Sequence, residues 1–206
     1  MANILKNLLL AICLVAATRS FAQETAPDAL MKGITSDVIA AIKHDKGIQA
    51  GNMAKIDALV DARILPYFDF ERATRTAMGF NWRQATAEQR SRLTAEFRAL
   101  LVRTYAGTLA SYRDQVVRFS PLHRAPGDSE VTVRSQIRQS GSPAVAVDYD
   151  LEKTDSGWKI FDVRVDGMSL IATYRTSFDE EVRNHGVDGL IHALMDKNHG
   201  TKPAAG

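Results

Sequence analysis

Helical periodicity, then strict two-residue alternation, then helical periodicity again predicts an α+β fold. The first helical part runs to about residue 112, the alternating runs lie between about 115 and 165, and a second helical part closes the chain. Turn residues join the alternating runs as hairpins, so the sheet is expected to be antiparallel, with about four strands.

Pro27 and Asp28 open the first helix, on which Leu30, Met31, Ile34, Val38, Ile39 and Ile42 recur near helical period, and Gly47 and Gly51 end it. A second helix is expected over 53–64. Pro66 stops the path there, because it has no amide proton and restricts the residue before it. Asp69 caps a third helix, which Gly79 terminates. Thr86-Ala-Glu-Gln89 reads as a capping box. It opens the longest helix, to about Tyr112, with Leu93, Phe97, Leu100, Leu101, Tyr105 and Leu109 on one stripe.

The period then changes. A first strand falls over 115–119; Val131, Val133, Ser135 and Ile137 alternate with polar residues, as do Val145, Val147, Tyr149 and Leu151. Ser140-Gly-Ser-Pro143 makes the loop between those two runs. In the last strand Trp158 and Ile160 share one phase, whereas Phe161, Val163 and Val165 share the other. That slip demands a bulge or a strand buried on both faces. The strand is expected to end at Gly167 and pass straight into a helix capped by Ser169. Ser177-Phe-Asp-Glu180 reads as a second capping box, Gly186 ends its helix, and Asp188 caps the last one. Residues 200–206 form a small polar tail.

The N-terminus carries Lys6, an apolar run from Leu8 to Ala17, and Ser20-Phe21-Ala22 ahead of polar Gln23. This is the pattern of a secretory signal peptide over 1–22, cleaved after Ala22, leaving one domain over 23–199. The apolar run is shorter than the roughly 20 residues a spanning helix needs. Cys13 lies within it, followed by Leu14 and Val15, so the segment lacks the pattern of a lipidated cysteine and the mature chain has no thiol for a disulfide. Loss of Lys6 and Arg19 takes the chain from 26 basic and 24 acidic residues to 24 of each. A chain without net charge offers no field for nucleic acid.

Three groups of residues have the types and spacing for chemistry. Gly167-Met-Ser169 sits where a hydrolase nucleophile elbow would, but Ile171 replaces the closing glycine of that motif. His192, Asp196 and His199 share a helical face, as ligands of a weak metal site or as polar residues at a helix terminus. Asp162 and Asp166 flank Arg164 on a strand, as a general base in a pocket or as ion-pair partners at the sheet rim. Each has a structural explanation, so no catalytic residue, metal or cofactor is expected.

Three segments carry a family resemblance. Trp158 to Phe178 is the longest; the run Ile64-Leu-Pro-Tyr-Phe-Asp-Phe70, with Gly79, Trp82, Arg83, Thr86 and Gln89, is the second; Gly186-Val-Asp-Gly-Leu-Ile191 is the third. In that order they resemble the MlaC family of periplasmic phospholipid carriers, also called toluene-tolerance or auxiliary transport components. The resemblance implies a curved sheet wrapped by helices, of cystatin-like or nuclear-transport-factor-like kind, with an apolar lipid pocket between them. It implies a shuttle without enzymatic activity that keeps the outer membrane asymmetric, taking a diacyl phospholipid or, as in a related branch, a hopanoid. The implied partners are a lipoprotein–porin complex of the outer membrane and an inner-membrane ABC transporter with an MCE-domain ring. On that basis the expected lining is Leu101, Tyr105, Val133, Val147, Tyr149, Val163 and Val165.

Overall fold

The computed structural model describes residues 25–200; the expected signal peptide and most of the expected polar tail lie outside the described residues. Helix α1, Pro27–His44, begins with proline at its first turn, where a missing amide costs nothing. It ends at Asp45, whose carboxylate accepts the Gly47 and Ile48 amides and starts a short helix not expected from the sequence, α2, Lys46–Gln49. Helix α3, Met53–Arg63, is capped by Asn52. Helix α4, Phe70–Met78, is capped by Asp69 as expected, with the Arg72 amide 2.8 Å from the carboxylate. The Thr86–Gln89 capping box forms in both directions and opens α5, Ala87–Tyr105. This helix stops short of Tyr112. Past Tyr105 the chain tightens into a 3-10 turn over Ala106–Ser111, which contains the weak helix former Gly107 and in which the Thr108 hydroxyl donates to the Tyr105 carbonyl at 2.6 Å.

Five antiparallel strands follow in the order β1 (Val116–Phe119), β2 (Glu130–Arg138), β3 (Val145–Thr154), β4 (Gly157–Val165) and β5 (Met168–Ser169), each paired with the next. The slip of phase in β4 is a bulge: Asp150 pairs with Asp162 and Leu151 with Ile160, leaving Phe161 as the extra residue. Nearby, the Ile160 carbonyl accepts the Asp69 amide at 2.8 Å, and Phe68 forms a parallel bridge with Ile160. The bulge thus lies where the chain entering α4 docks.

The expected passage from Gly167 into a helix does not occur. Asp166 and Gly167 both take positive φ, 48° and 83°, which is the turn of a tight hairpin. The chain therefore reverses into β5, makes a 3-10 turn over Ala172–Tyr174, and only then enters α6, Arg175–His199. Ser177 is already inside α6, and its hydroxyl donates to the Tyr174 carbonyl, so the second capping box is not formed. Gly186 breaks the helical path with φ 71° and ψ −178°, as expected of a helix end there. Asp188 faces α5 instead of capping: it accepts the Gln89 side-chain amide at 3.0 Å.

The apolar interior is divided into three cores. One joins α4, α5 and α6 around Phe97, Leu93, Phe178 and Ile191. A second joins α1, α2 and α3 around Ile42, Ile56 and Val60. The third lies between α1 and the sheet, where Met31 meets Val133, Leu151, Trp158 and Ile160. Gly79 of the second resembling segment and Arg175 of the first knit the helical part together. Gly79 has φ 54°, Arg175 packs beside it, and the Arg175 guanidinium donates to the Thr76 carbonyl at the end of α4.

Candidate functional site

Directly paired residues of an antiparallel sheet present their side chains on the same face. The register therefore defines the inner face: Val117 opposite Ile137, Ile137 opposite Val145, Ser135 opposite Val147, Val133 opposite Tyr149, Val147 opposite Val165, Tyr149 opposite Val163, and Val165 opposite Met168. The half of this face bearing Val131, Val133, Leu151 and Trp158 is covered by α1 and belongs to the third core. In the other half, Val117, Ile137, Val145, Val147, Val165 and Met168 form a continuous apolar patch, and none of them belongs to any of the three cores. Val145 and Met168 are outright exposed, the latter by 67%. An apolar sheet surface outside the three cores, partly buried around Val147 and exposed at Val145 and Met168, is the main feature of this site.

Leu101 packs on the α4–α6 core together with Tyr174, and Tyr105 follows Leu101 by one turn on the same face. The Tyr174 phenol lies beside that of Tyr105. Burial and this neighbour push Tyr105 up to about 12. Tyr174 is fixed by edge-on packing with Phe97 at 5.0 Å and by Phe178 at 5.7 Å. Deeper on the face, burial also raises Tyr149, against the opposing effect of its hydrogen bond with Ser135.

Of the residues expected to line a pocket, the structure brings Val147, Tyr149, Val163 and Val165 together as two adjacent cross-strand pairs, and sets Leu101 and Tyr105 on one helix face. Tyr149 and Val163 border the α1 core, and Val133 is fully buried within it. Sequence reasoning missed Ile137 and Met168 on the same face, and Tyr174 across from Tyr105. Ile137 was legible in the alternation. Met168 was hidden by the expectation of a helix after Gly167, although Asp-Gly between two apolar runs is a hairpin signal.

Asp162, Ser169 and Asp166 are held in structural hydrogen bonds in this fold. Asp162 is buried; one carboxylate oxygen accepts the Ser169 hydroxyl at 2.5 Å, and the other accepts the Val163 and Ile171 amides at 2.8 and 3.3 Å. The Ser169 oxygen in turn accepts the Ala172 amide at 2.8 Å. Asp166 holds the Ala146 amide at 3.0 Å and so ties the hairpin tip to β3. These bonds shape the turn that carries Met168 and Tyr174. No group of three His, Cys, Asp or Glu side chains among the described residues converges on a point that would hold a metal ion. A separate groove of about 550 Å³ between α3 and α5 is lined by apolar Leu65, Ala99 and Val102 but also by Asp57, Asp61, Arg98 and Arg103, and it contains none of the expected lining residues.

The comparisons agree with one another. The solved structure of a phospholipid-binding protein from Ralstonia solanacearum, in complex with a phospholipid, superposes with a TM-score of 0.78 at 41% identity, covering 84% of this chain and 97% of that one. Toluene tolerance protein ttg2D of Pseudomonas putida is 26% identical over 192 residues, 91% of this chain and 87% of that protein. The intermembrane phospholipid transport system binding protein MlaC of Haemophilus influenzae is 23% identical over 181 residues, 86% of this chain and 85% of that protein. A family model described as MlaC protein matches residues 32–196, nearly the whole described structure, and the chain accordingly belongs to the MlaC family.

Proposed function

We infer that this protein is a phospholipid-binding carrier of an intermembrane transport system, and not an enzyme. The observation that carries the reading is the apolar half-sheet from Val117 to Met168, left outside all three cores. The acyl chains lie on this face, against Val147, Val163, Val165 and Tyr149, with Leu101 and Tyr105 closing the helical side; Val133 forms part of the packed floor beneath. The phospholipid held by the Ralstonia solanacearum relative supports the choice of ligand.

Each buried methylene is worth about 0.8 kcal/mol against water. Two chains of about 15 methylenes would give roughly 24 kcal/mol gross, beyond the practical ceiling of about 21 kcal/mol for non-covalent binding. A loaded carrier therefore does not release lipid into water. Passage to another apolar site leaves the hydrophobic terms nearly balanced, so exchange happens on contact with a partner.

The cellular setting belongs to the same proposal. A signal peptide over 1–22 sends the chain to the periplasm, where its single domain shuttles phospholipid between an outer-membrane lipoprotein–porin complex and an inner-membrane MCE-domain ABC transporter, and so maintains outer-membrane asymmetry. The first test is native mass spectrometry of mature protein taken from periplasm without detergent. The expected result is a bound mass equal to one diacyl phospholipid. A hopanoid mass would replace the ligand class. A bare protein mass, with no uptake from labelled liposomes, would overturn the carrier reading.

A further inference from the structure

A short 3-10 turn, Gly79–Arg83, joins α4 to the chain entering α5. Its side chains divide sharply. Met78 just before it, and Asn81 and Trp82 within it, are buried, while Gly79 turns the chain with φ 54°. Phe80 lies outside: at 74% it is the most exposed large apolar side chain among the described residues. One exposed phenylalanine needs no explanation by itself. Its surroundings do.

Four guanidinium groups converge on this turn. Arg83 lies 5.9 Å from the centre of the Phe80 ring. Arg175 packs beside Gly79 and donates to the Thr76 carbonyl at 2.9 Å. Arg90 donates to the Trp82 carbonyl at 3.1 Å and lies 5.2 Å from the centre of the indole. Arg183 pairs with Asp179, whose carboxylate also accepts the Asn81 side-chain amide at 3.0 Å. Asp179 is the one carboxylate in these contacts. The whole sequence has 26 basic and 24 acidic residues, so the excess of cations here is local. The carbonyl bonds of Arg90 and Arg175 occupy only part of the five donors that each guanidinium carries.

We propose that the Phe80 turn is a membrane-docking surface, with Phe80 entering the apolar boundary of an anionic phospholipid leaflet and the surrounding arginines holding lipid phosphates. Guanidinium forks match phosphate oxygens, often with two parallel hydrogen bonds. An aromatic ring among cations suits the lipid–water interface, where charged headgroups and apolar chains are met side by side. An acidic protein surface would satisfy the arginines and leave Phe80 unmatched; a purely apolar groove would take Phe80 and strand the arginines. Only the bilayer surface answers both. Docking there would hold the protein at a source or destination of phospholipid through a surface distinct from the sheet face that carries the cargo.

The test is flotation of the mature protein with vesicles of phosphatidylcholine alone or phosphatidylcholine mixed with phosphatidylglycerol. Wild type should float with the mixed vesicles, less so as salt is raised, and bind neutral vesicles far more weakly. Arg83→Gln should weaken binding about 5-fold, and Phe80→Ser about 10-fold or more. Met53→Ser, which removes an exposed apolar side chain from α3, should change nothing. Phospholipid bound to Phe80→Ser, read by native mass spectrometry, should match wild type, because Phe80 is outside the cargo face. Wild type that fails to float with the mixed vesicles would overturn the proposal and leave the carrier reading intact. Equal binding to neutral vesicles, or binding undiminished in both Phe80→Ser and Arg83→Gln, would also overturn it.

Discussion

Val133 and Val147 are both inward-facing valines on neighbouring strands, and sequence alone gives them the same status. The structure separates them by their company. Val133 has no accessible surface and packs under α1 with Met31, Leu151 and Trp158, whereas Val147 is nearly buried yet belongs to none of the cores. A cleft accepts a long side chain; a packed core does not. Val147→Arg should therefore purify free of lipid while still unfolding in one cooperative step, with a stability loss below about 2 kcal/mol. Val133→Arg, which would bury an unpaired charge, should fail to fold. Urea unfolding alongside lipid extraction checks both, and a Val147→Arg chain that does not fold would place that residue in the core. Alternation told which residues face inward. It could not tell which inward residues are covered, because cover is supplied by α1, more than 80 residues away in the chain.

Among the elements, those announced by local chemistry were legible: the Asp69 cap, the Thr86–Gln89 box and the bulge in β4 all follow from side-chain chemistry or pattern within a few residues. Those that were not legible are short or tertiary. Strand β5 has two residues, too few to show alternation, and α6 begins at Arg175 because the preceding 3-10 turn runs directly into it. Gly186 is the clearest element-scale determinant. Its φ of 71° and ψ of −178° fall in a region essentially open to glycine alone. A Cβ there would meet nothing within 4 Å, so the cost of Gly186→Ala is conformational and not steric. The substitution should lower unfolding free energy by about 1–3 kcal/mol, read from denaturant melts. A neutral result would mean the two halves of α6 can realign without the kink.

For the whole molecule, the question is how the helical part is held to the sheet. Arg72 of α4 is one answer. Its guanidinium bonds Glu130 at 2.7 Å and also Glu152, directly opposite each other on β2 and β3, and it stacks 3.6 Å over the ring of Phe161 at the bulge. Burial raises Glu152 above its ordinary value; Arg72 opposes the shift, and nearby Asp69 adds to it. The folded state thus holds this proton more tightly than the unfolded chain does. The stability contributed by Glu152 is complete below the ordinary 4.5 and is lost as pH rises through the raised value. Glu152→Gln should flatten that part of the stability-versus-pH curve and cost little at neutral pH, since Glu130 still pairs with Arg72. A curve unchanged in shape would show that Glu152 titrates alike in the folded and unfolded chain.

The three-way division of the interior gives the cargo a second role. A protein of this size ordinarily has one contiguous core with smaller satellites, and here the open half-sheet lies outside all three clusters. In the proposed reading the lipid covers it. When loaded, the carrier has in effect a fourth core made of acyl chain; when emptied, it keeps an unfinished interior and gives up whatever stability the ligand lent by mass action. Delivery and loosening are then a single event, and the carrier's own rigidity becomes a record of whether it has yet handed over what it carries.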